Sequence, residues 1–230
     1  MDLESFNTSR ESLVPLLALN NKSNKNIIIF PTDKEAIEFS TDFSNLNKNI
    51  FHLPSWDTLS YDSFVPSFDI QGKRLEIAHL LLTNNNYNIA TSIKAISQRI
   101  YFEELEICKI ELNEEIDFDS LIENLIHLKY QRKDRVESKG SFAIRGGQLD
   151  VYPINYDLPL RVIFDGDLVN EIKTFDTISQ RSVSEKKDIL IVPATELFQI
   201  KHSDILNLSS NNKENLDDYE LFQYSQNLDL

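Results

Sequence analysis

A parallel α/β domain followed by an α+β module of antiparallel strands is the architecture this sequence predicts, and three observations carry the prediction. Across residues 1–100, short apolar runs alternate with stretches of helical period, the pattern of strands joined by crossover helices in a parallel sheet. Beyond residue 101 the apolar runs are joined instead by tight turns, Gly146-Gly147 and Asp165-Gly166-Asp167, which is the signature of hairpins. A hydrophobic fraction of 41%, with 10% aromatic residues in 230 positions, supplies enough apolar surface for real cores.

Taken in order, residues 9–19 read as a helix and 26–30, Asn-Ile-Ile-Ile-Phe, as a buried strand. Thr32, with Glu35 three positions on, caps a helix over 32–43. A short strand at 50–53 leads into a long connection, 54–70, rich in aromatic and turn-forming residues, and then a helix over 71–82. Residues 88–91 form a third strand that runs into a helix over 93–99. A domain boundary falls near residue 101, so that 1–100 is the first domain and 101–192 the second. Between 103 and 119 Lys109 is the single cation among many carboxylates, a density that reads as a solvated face. A helix over 118–128 follows, then strands flanking the two hairpin turns, at 160–164 and 168–175 for the second, and a last strand at 189–192 stopped by Pro193. Residues 193–230 read as the start of a further segment or as a polar tail, since from Lys201 they lack apolar spacing.

Several chemistries are excluded by what is missing. A phosphate-binding loop needs glycines that let backbone amides close around phosphate, and the sequence has none before Gly72; Gly72-Lys73 is followed by Arg74 and has no glycine five positions upstream. Nucleotide hydrolysis is therefore not expected, nor any bound cofactor. The histidines, His52, His79, His127 and His202, are dispersed, and a lone Cys108 can build neither a zinc site nor a disulfide; it reads as a small buried hydrophobe. The N-terminus carries no signal-peptide pattern and no apolar run approaches a membrane span, so a cytoplasmic location is expected. A net charge of −14 opposes broad polyanion binding, leaving only local contact with nucleic acid.

Against that background the charge inverts between 129 and 145. Lys129, Arg132, Lys133, Arg135, Lys139 and Arg145 face only Asp134 and Glu137. Such a patch either neutralises the acidic segment upstream or docks an acidic partner, with Tyr130 and Phe142 as apolar anchors; a third alternative is single-stranded DNA stacked on those two rings. The hairpin over 141–153 sits inside the patch. Two glycines at its tip supply positive φ at both central positions of a primed turn, so Arg145 at the turn's mouth is held with little ordering cost on binding.

The residues resemble a known family. The block from Leu53 to Ile70 (Leu-Pro-Ser-Trp-Asp-Thr-Leu-Ser-Tyr-Asp-Ser-Phe-Val-Pro-Ser-Phe-Asp-Ile) with Arg74-Leu75, the helix Ile93 to Arg99, the signature from Tyr130 to Pro153, the block Pro159 to Asp167, Phe175 to Ser182, and Pro193 to Glu196 are similar, in this order, to the N-terminal region of the bacterial transcription-repair coupling factor (Mfd) family. The related damage-verification subunit UvrB shares the hairpin module, but the Trp56 block and Gln180-Arg181-Ser182 resemble the coupling factors. The resemblance implies a degenerate helicase-like domain that has lost ATP binding, interrupted by a UvrB-like module that binds UvrA. It implies UvrA contacts at Arg132, Arg135, Phe142 and Arg145, with Gly146 and Gly147 shaping the hairpin. It further implies a longer protein: an ATP-dependent translocase whose RNA polymerase-binding and DNA motor domains lie outside this chain, and whose C-terminal domains mask the UvrA surface. The expected function is a non-catalytic recruitment module; the alternatives are a UvrB-like damage-verification fragment and a single-strand DNA-binding module.

Overall fold

The structure, a computed structural model, describes residues 25–45, 49–58, 65–84, 86–98, 100 and 105–196. The expected helix at 9–19 and the polar tail from Lys201 lie outside the described residues. Mixed helices and strands form one parallel sheet and two sheets rich in antiparallel pairs, consistent with the expected α/β class. The chain divides into two compact units, one of residues Met1–Ser55 and His79–Arg99, the other of Trp56–Ala78 and Ile100–Leu230.

The first unit is built on β1 (Lys25–Phe30), β2 (Phe51–Leu53) and β3 (Tyr87–Ser92). They pair in parallel in the order β1-β3-β2, with Lys25 opposite Tyr87 and Phe51 opposite Ile89. Helix α1 (Asp33–Ser44) starts where the sequence says it must: the Thr32 hydroxyl accepts the Glu35 amide at 3.3 Å and donates to the Glu35 carboxylate at 3.2 Å. Its apolar face, Ala36, Phe39 and Phe43, is fully buried against Phe30 and Ala90, with the Phe30 and Phe39 rings 5.0 Å apart. A short helix, α3 (Ile93–Ser97), is capped by Ser92, which accepts the Ala95 amide at 3.0 Å.

Between these, α2 (Phe68–Thr83) begins three residues earlier than its periodicity suggests. Its stretch up to Ala78 belongs to the second unit, where it carries a buried polar cluster. Arg74 is 0% exposed; its Nε donates to Glu196 at 2.8 Å and its guanidinium lies 4.8 Å from the Trp56 ring. Trp56 Nε1 donates to the other Glu196 oxygen at 2.7 Å, and Gln71 accepts from the Glu196 amide at 2.8 Å. Burial pushes the Glu196 carboxyl up from its usual range, against the opposing pull of Arg74 and Trp56.

The main body of the second unit is a six-stranded sheet in the order β10-β9-β8-β7-β6-β5. Its strands are β5 (Gln131–Arg132), β6 (Ser141–Arg145), β7 (Gln148–Tyr152), β8 (Leu160–Asp165), β9 (Leu168–Phe175) and β10 (Ser182–Glu185). All neighbours are antiparallel except β5, which runs parallel to β6. A separate antiparallel pair, β4 (Cys108–Glu111) with β11 (Asp188–Ile191), and helix α4 (Phe118–His127) close over one face of the sheet. The core between them holds Ile110, Leu125, Phe142, Leu149, Val162 and Ile189, each at most 1% exposed.

Three strands were not foreseen. β4 lies inside the acidic run read as a solvated face: Cys108 and Ile110 point inward while Lys109 and Glu111 point out and pair with each other, so the charges occupy only one side of a pleat. Cys108 is a buried hydrophobe as expected, its thiol pushed up to about 11 by burial. β5 and β10 are short edge strands whose residues are all exposed, so neither carries an apolar alternation.

α4 ends in a hydrogen-bonded αL turn. Lys129 has φ +68°, its amide donates to Ile126 and the Tyr130 amide reaches back to Leu125, both at 3.0 Å. A lysine pays the left-handed strain at a position that glycine fills without it. Lys129→Gly is therefore expected to stabilise the unit by on the order of 0.5 kcal/mol, read as a higher urea midpoint; a lower midpoint would contradict the assigned turn.

Candidate functional site

The charge inversion maps onto one edge of the six-stranded sheet: β5, the connection 133–140, and the β6–β7 hairpin. The connection is well anchored. Val136, 1% exposed, inserts with Ala143 and Phe175 into a small apolar cluster on the sheet's second face. Lys139 donates to Asp69 at 2.6 Å and to the Ile154 carbonyl at 3.1 Å, and the Gly140 amide donates to Tyr152 at 2.8 Å.

The hairpin forms with Arg145 opposite Gln148, a two-residue turn at Gly146-Gly147. Only Gly146 has positive φ, at +62°, and a Cβ there would meet open space. The expectation of positive φ at both positions is thus corrected. Gly147 is needed for a different reason: a Cβ would lie 2.9 Å from the Phe164 carbonyl oxygen, next to the bond by which the Phe164 amide donates to Gly147 at 2.7 Å. One glycine supplies backbone conformation, the other lets β8 approach.

The sequence-predicted site residues separate into two groups. Arg132, Arg135 and Arg145 are exposed. Arg145 is steadied by a 3.2 Å bond from its guanidinium to the Asp134 carbonyl, and Arg135 by a 2.8 Å bond to the Thr177 carbonyl. Among the described residues no carboxylate of the acidic run pairs with them, and Arg132, Lys133 and Lys129 hold no side-chain partner, so the patch does not neutralise the described carboxylates upstream. Phe142 and Tyr130 form the second group. Both lie in the core, at 0% and 3% exposure, and the Tyr130 hydroxyl donates to the Val192 carbonyl at 2.8 Å. Their reading as surface anchors or stacking platforms is corrected: Ser141, Phe142 and Ala143 are buried in succession because the sheet is covered on both faces there, and an alternating pattern does not reveal which ring points out.

A further pair supports the surface and was missed from sequence. Asp150, 4% exposed, accepts Arg161 Nε at 2.7 Å and Nη2 at 2.9 Å, while Gln148 donates to both of its oxygens. The bidentate bond raises the Arg161 guanidinium above its ordinary range. Arg161 also lies 4.4 Å from the Phe175 ring and donates to the Gln180 carbonyl at 3.3 Å, tying the 176–181 loop to the sheet. Asp150 and Arg161 are cross-strand neighbours, so the available signal was the β7–β8 register.

In the first unit, the turn from β1 to α1 is the place where an α/β sheet offers a phosphate site. Here that turn has no glycine and carries Asp33, whose carboxylate accepts from the Ser55 amide at 3.3 Å and from the Ser55 hydroxyl. Burial alone would raise its pKa, but the bonds from Ser55 and Ser92 outweigh this and hold the carboxyl below its usual range. Among the described residues no group of three or more His, Cys, Asp and Glu could hold a metal ion, and no helix is long and apolar enough to cross a membrane.

Comparison with known proteins agrees with this picture. The family model described as UvrB interaction domain matches residues 108–197, the stretch from β4 through β11. The transcription-repair-coupling factor of Escherichia coli is 29% identical over 174 residues, 74% of this chain and 15% of that protein. That of Myxococcus xanthus is 31% identical over 159 residues, 67% of this chain and 13% of that protein. UvrABC system protein B of Thermosipho africanus is 24% identical over 190 residues, 75% of this chain and 28% of that protein. The chain thus spans about one seventh of the length of the coupling factors it matches. Residues 108–197 thus match the UvrB interaction domain, in a chain that is similar to transcription-repair-coupling factors over most of its length.

Proposed function

We propose that this chain is a non-catalytic recruitment module that binds UvrA through the cationic edge of its UvrB interaction domain, and so couples stalled RNA polymerase to nucleotide excision repair within a longer protein. The observation that carries the reading is the placement of Arg132 and Arg145, both exposed, on adjoining strands of a sheet edge in a strongly acidic chain. Preorganised guanidiniums of this kind favour carboxylate recognition, because little side-chain freedom remains to be lost. Masking of this edge by C-terminal domains of the longer protein would make recruitment conditional.

The first unit takes no nucleotide in this reading, because the turn from β1 to α1 lacks glycine and carries the Asp33 carboxylate, whose charge opposes phosphate. The single-strand DNA alternative loses its stacking platforms with the burial of Tyr130 and Phe142. The test is calorimetry of the Arg132→Ala, Arg145→Ala double variant against UvrA. Loss of charged hot spots of about 2 kcal/mol, a weakening of about 30-fold, is the expected result. Unchanged affinity would remove the site assignment.

A further inference from the structure

Ile178 is 87% exposed, at the tip of the loop between β9 and β10. The loop around it is not loose. The Asp176 carboxylate accepts the Ser179 amide at 2.8 Å, the Asp176 carbonyl accepts the Gln180 amide at 2.8 Å, and the Gln180 side chain donates to the Thr177 carbonyl at 2.8 Å. Two arginines bolt it down from outside: Arg135 through the Thr177 carbonyl and Arg161 through the Gln180 carbonyl. A loop held this firmly spends no internal contact on its one large apolar side chain, which it presents to water.

Through Arg135 the loop is joined directly to the cationic segment, and Arg181 adds another exposed cation beside it. An isolated exposed isoleucine needs no explanation. A rigidly held one, a single residue from the carbonyl that anchors a patch arginine, has the form of an interface anchor: an apolar plug ringed by charges that complement an acidic partner. It also supplies what the patch lacks once Phe142 and Tyr130 are found in the core.

We propose that Ile178 is the apolar anchor of the docking surface, inserting into an apolar recess rimmed by acidic groups on the protein that the arginine patch binds. This rests on the reading of that patch as the UvrA-docking edge. The test uses the whole chain and UvrA, with Ile178→Ser and Ile178→Leu measured by calorimetry beside the Arg132→Ala, Arg145→Ala double variant. Ile178→Ser is expected to weaken binding about tenfold or more, and Ile178→Leu to keep most of the affinity, because apolar burial and not shape alone is at stake. The loss at Ile178 should hold its size when salt is raised, whereas that of the arginine variant should shrink as the charges are screened. If the arginine variant weakens binding and Ile178→Ser does not, the anchor is overturned and the docking edge stands. If the unmodified chain does not bind UvrA, or if the arginine variant binds unchanged, the docking edge falls and the anchor with it. Unchanged circular dichroism of Ile178→Ser is expected, since the side chain touches little.

Discussion

Arg74→Ala should lower the unfolding free energy by about 3–5 kcal/mol, because it strands the Glu196 carboxylate in a site with almost no access to water. The guanidinium both donates to Glu196 at 2.8 Å and stacks on Trp56; only the Trp56 and backbone contacts would remain. The sign is set by what is left behind. Removing one partner of a buried pair exposes the full desolvation cost of the other, whereas removing both can be close to neutral. The double variant Arg74→Met, Glu196→Leu should therefore recover most of the loss. Trp56 is the only tryptophan of the chain and sits in the cluster, so urea unfolding followed by its fluorescence reads the effect where it arises. A loss below about 1 kcal/mol would mean that water reaches Glu196 after all.

Gly72→Ala is expected to destabilise the second unit by about 2 kcal/mol, although alanine is the better helix former by about 1 kcal/mol. A Cβ at this position would lie 2.4 Å from the Ile154 carbonyl oxygen, 2.7 Å from its carbon and 2.9 Å from the Asn155 nitrogen. These are backbone atoms and cannot swing aside. The helix would have to lift from the cluster of Leu75, Ile154 and Val192, which is buried in the second unit. In an exposed helix the same change would raise the urea midpoint, so the direction of the shift alone decides whether close packing governs here.

How legible this protein is in its sequence depends on the range of the signal. Local chemistry was readable: the Thr32 cap, the hairpin tips and the Asn-Ile-Ile-Ile-Phe strand all appear where residue types demand them, although that strand is only partly buried, with Phe30 in the core and Ile29 exposed. Edge strands were not, because β5 and β10 bury nothing and so leave no pattern. Of the candidate site, the exposure of Arg132, Arg135 and Arg145 follows from charge alone, while the burial of Phe142 depends on α4, β4 and β11 closing over its face of the sheet, and that of its neighbour Ala143 on Val136 and Phe175 covering the other face. Gly72-Lys73 was read for what it fails to be, a phosphate loop; its actual reason, contact with Ile154, is tertiary. The Trp56, Arg74 and Glu196 cluster has no local signature whatever, since no periodicity connects residues so distant.

That distance has a consequence in time. Arg74 and Glu196 are 122 residues apart, and a ribosome adding roughly 5–20 residues per second needs on the order of ten seconds to make the second after the first. During that interval the guanidinium and Trp56 have emerged without the carboxylate that joins them. The second unit therefore completes only once Glu196 has emerged, from two separated pieces of chain, and among the described residues the segment around Trp56 waits longest for its partner.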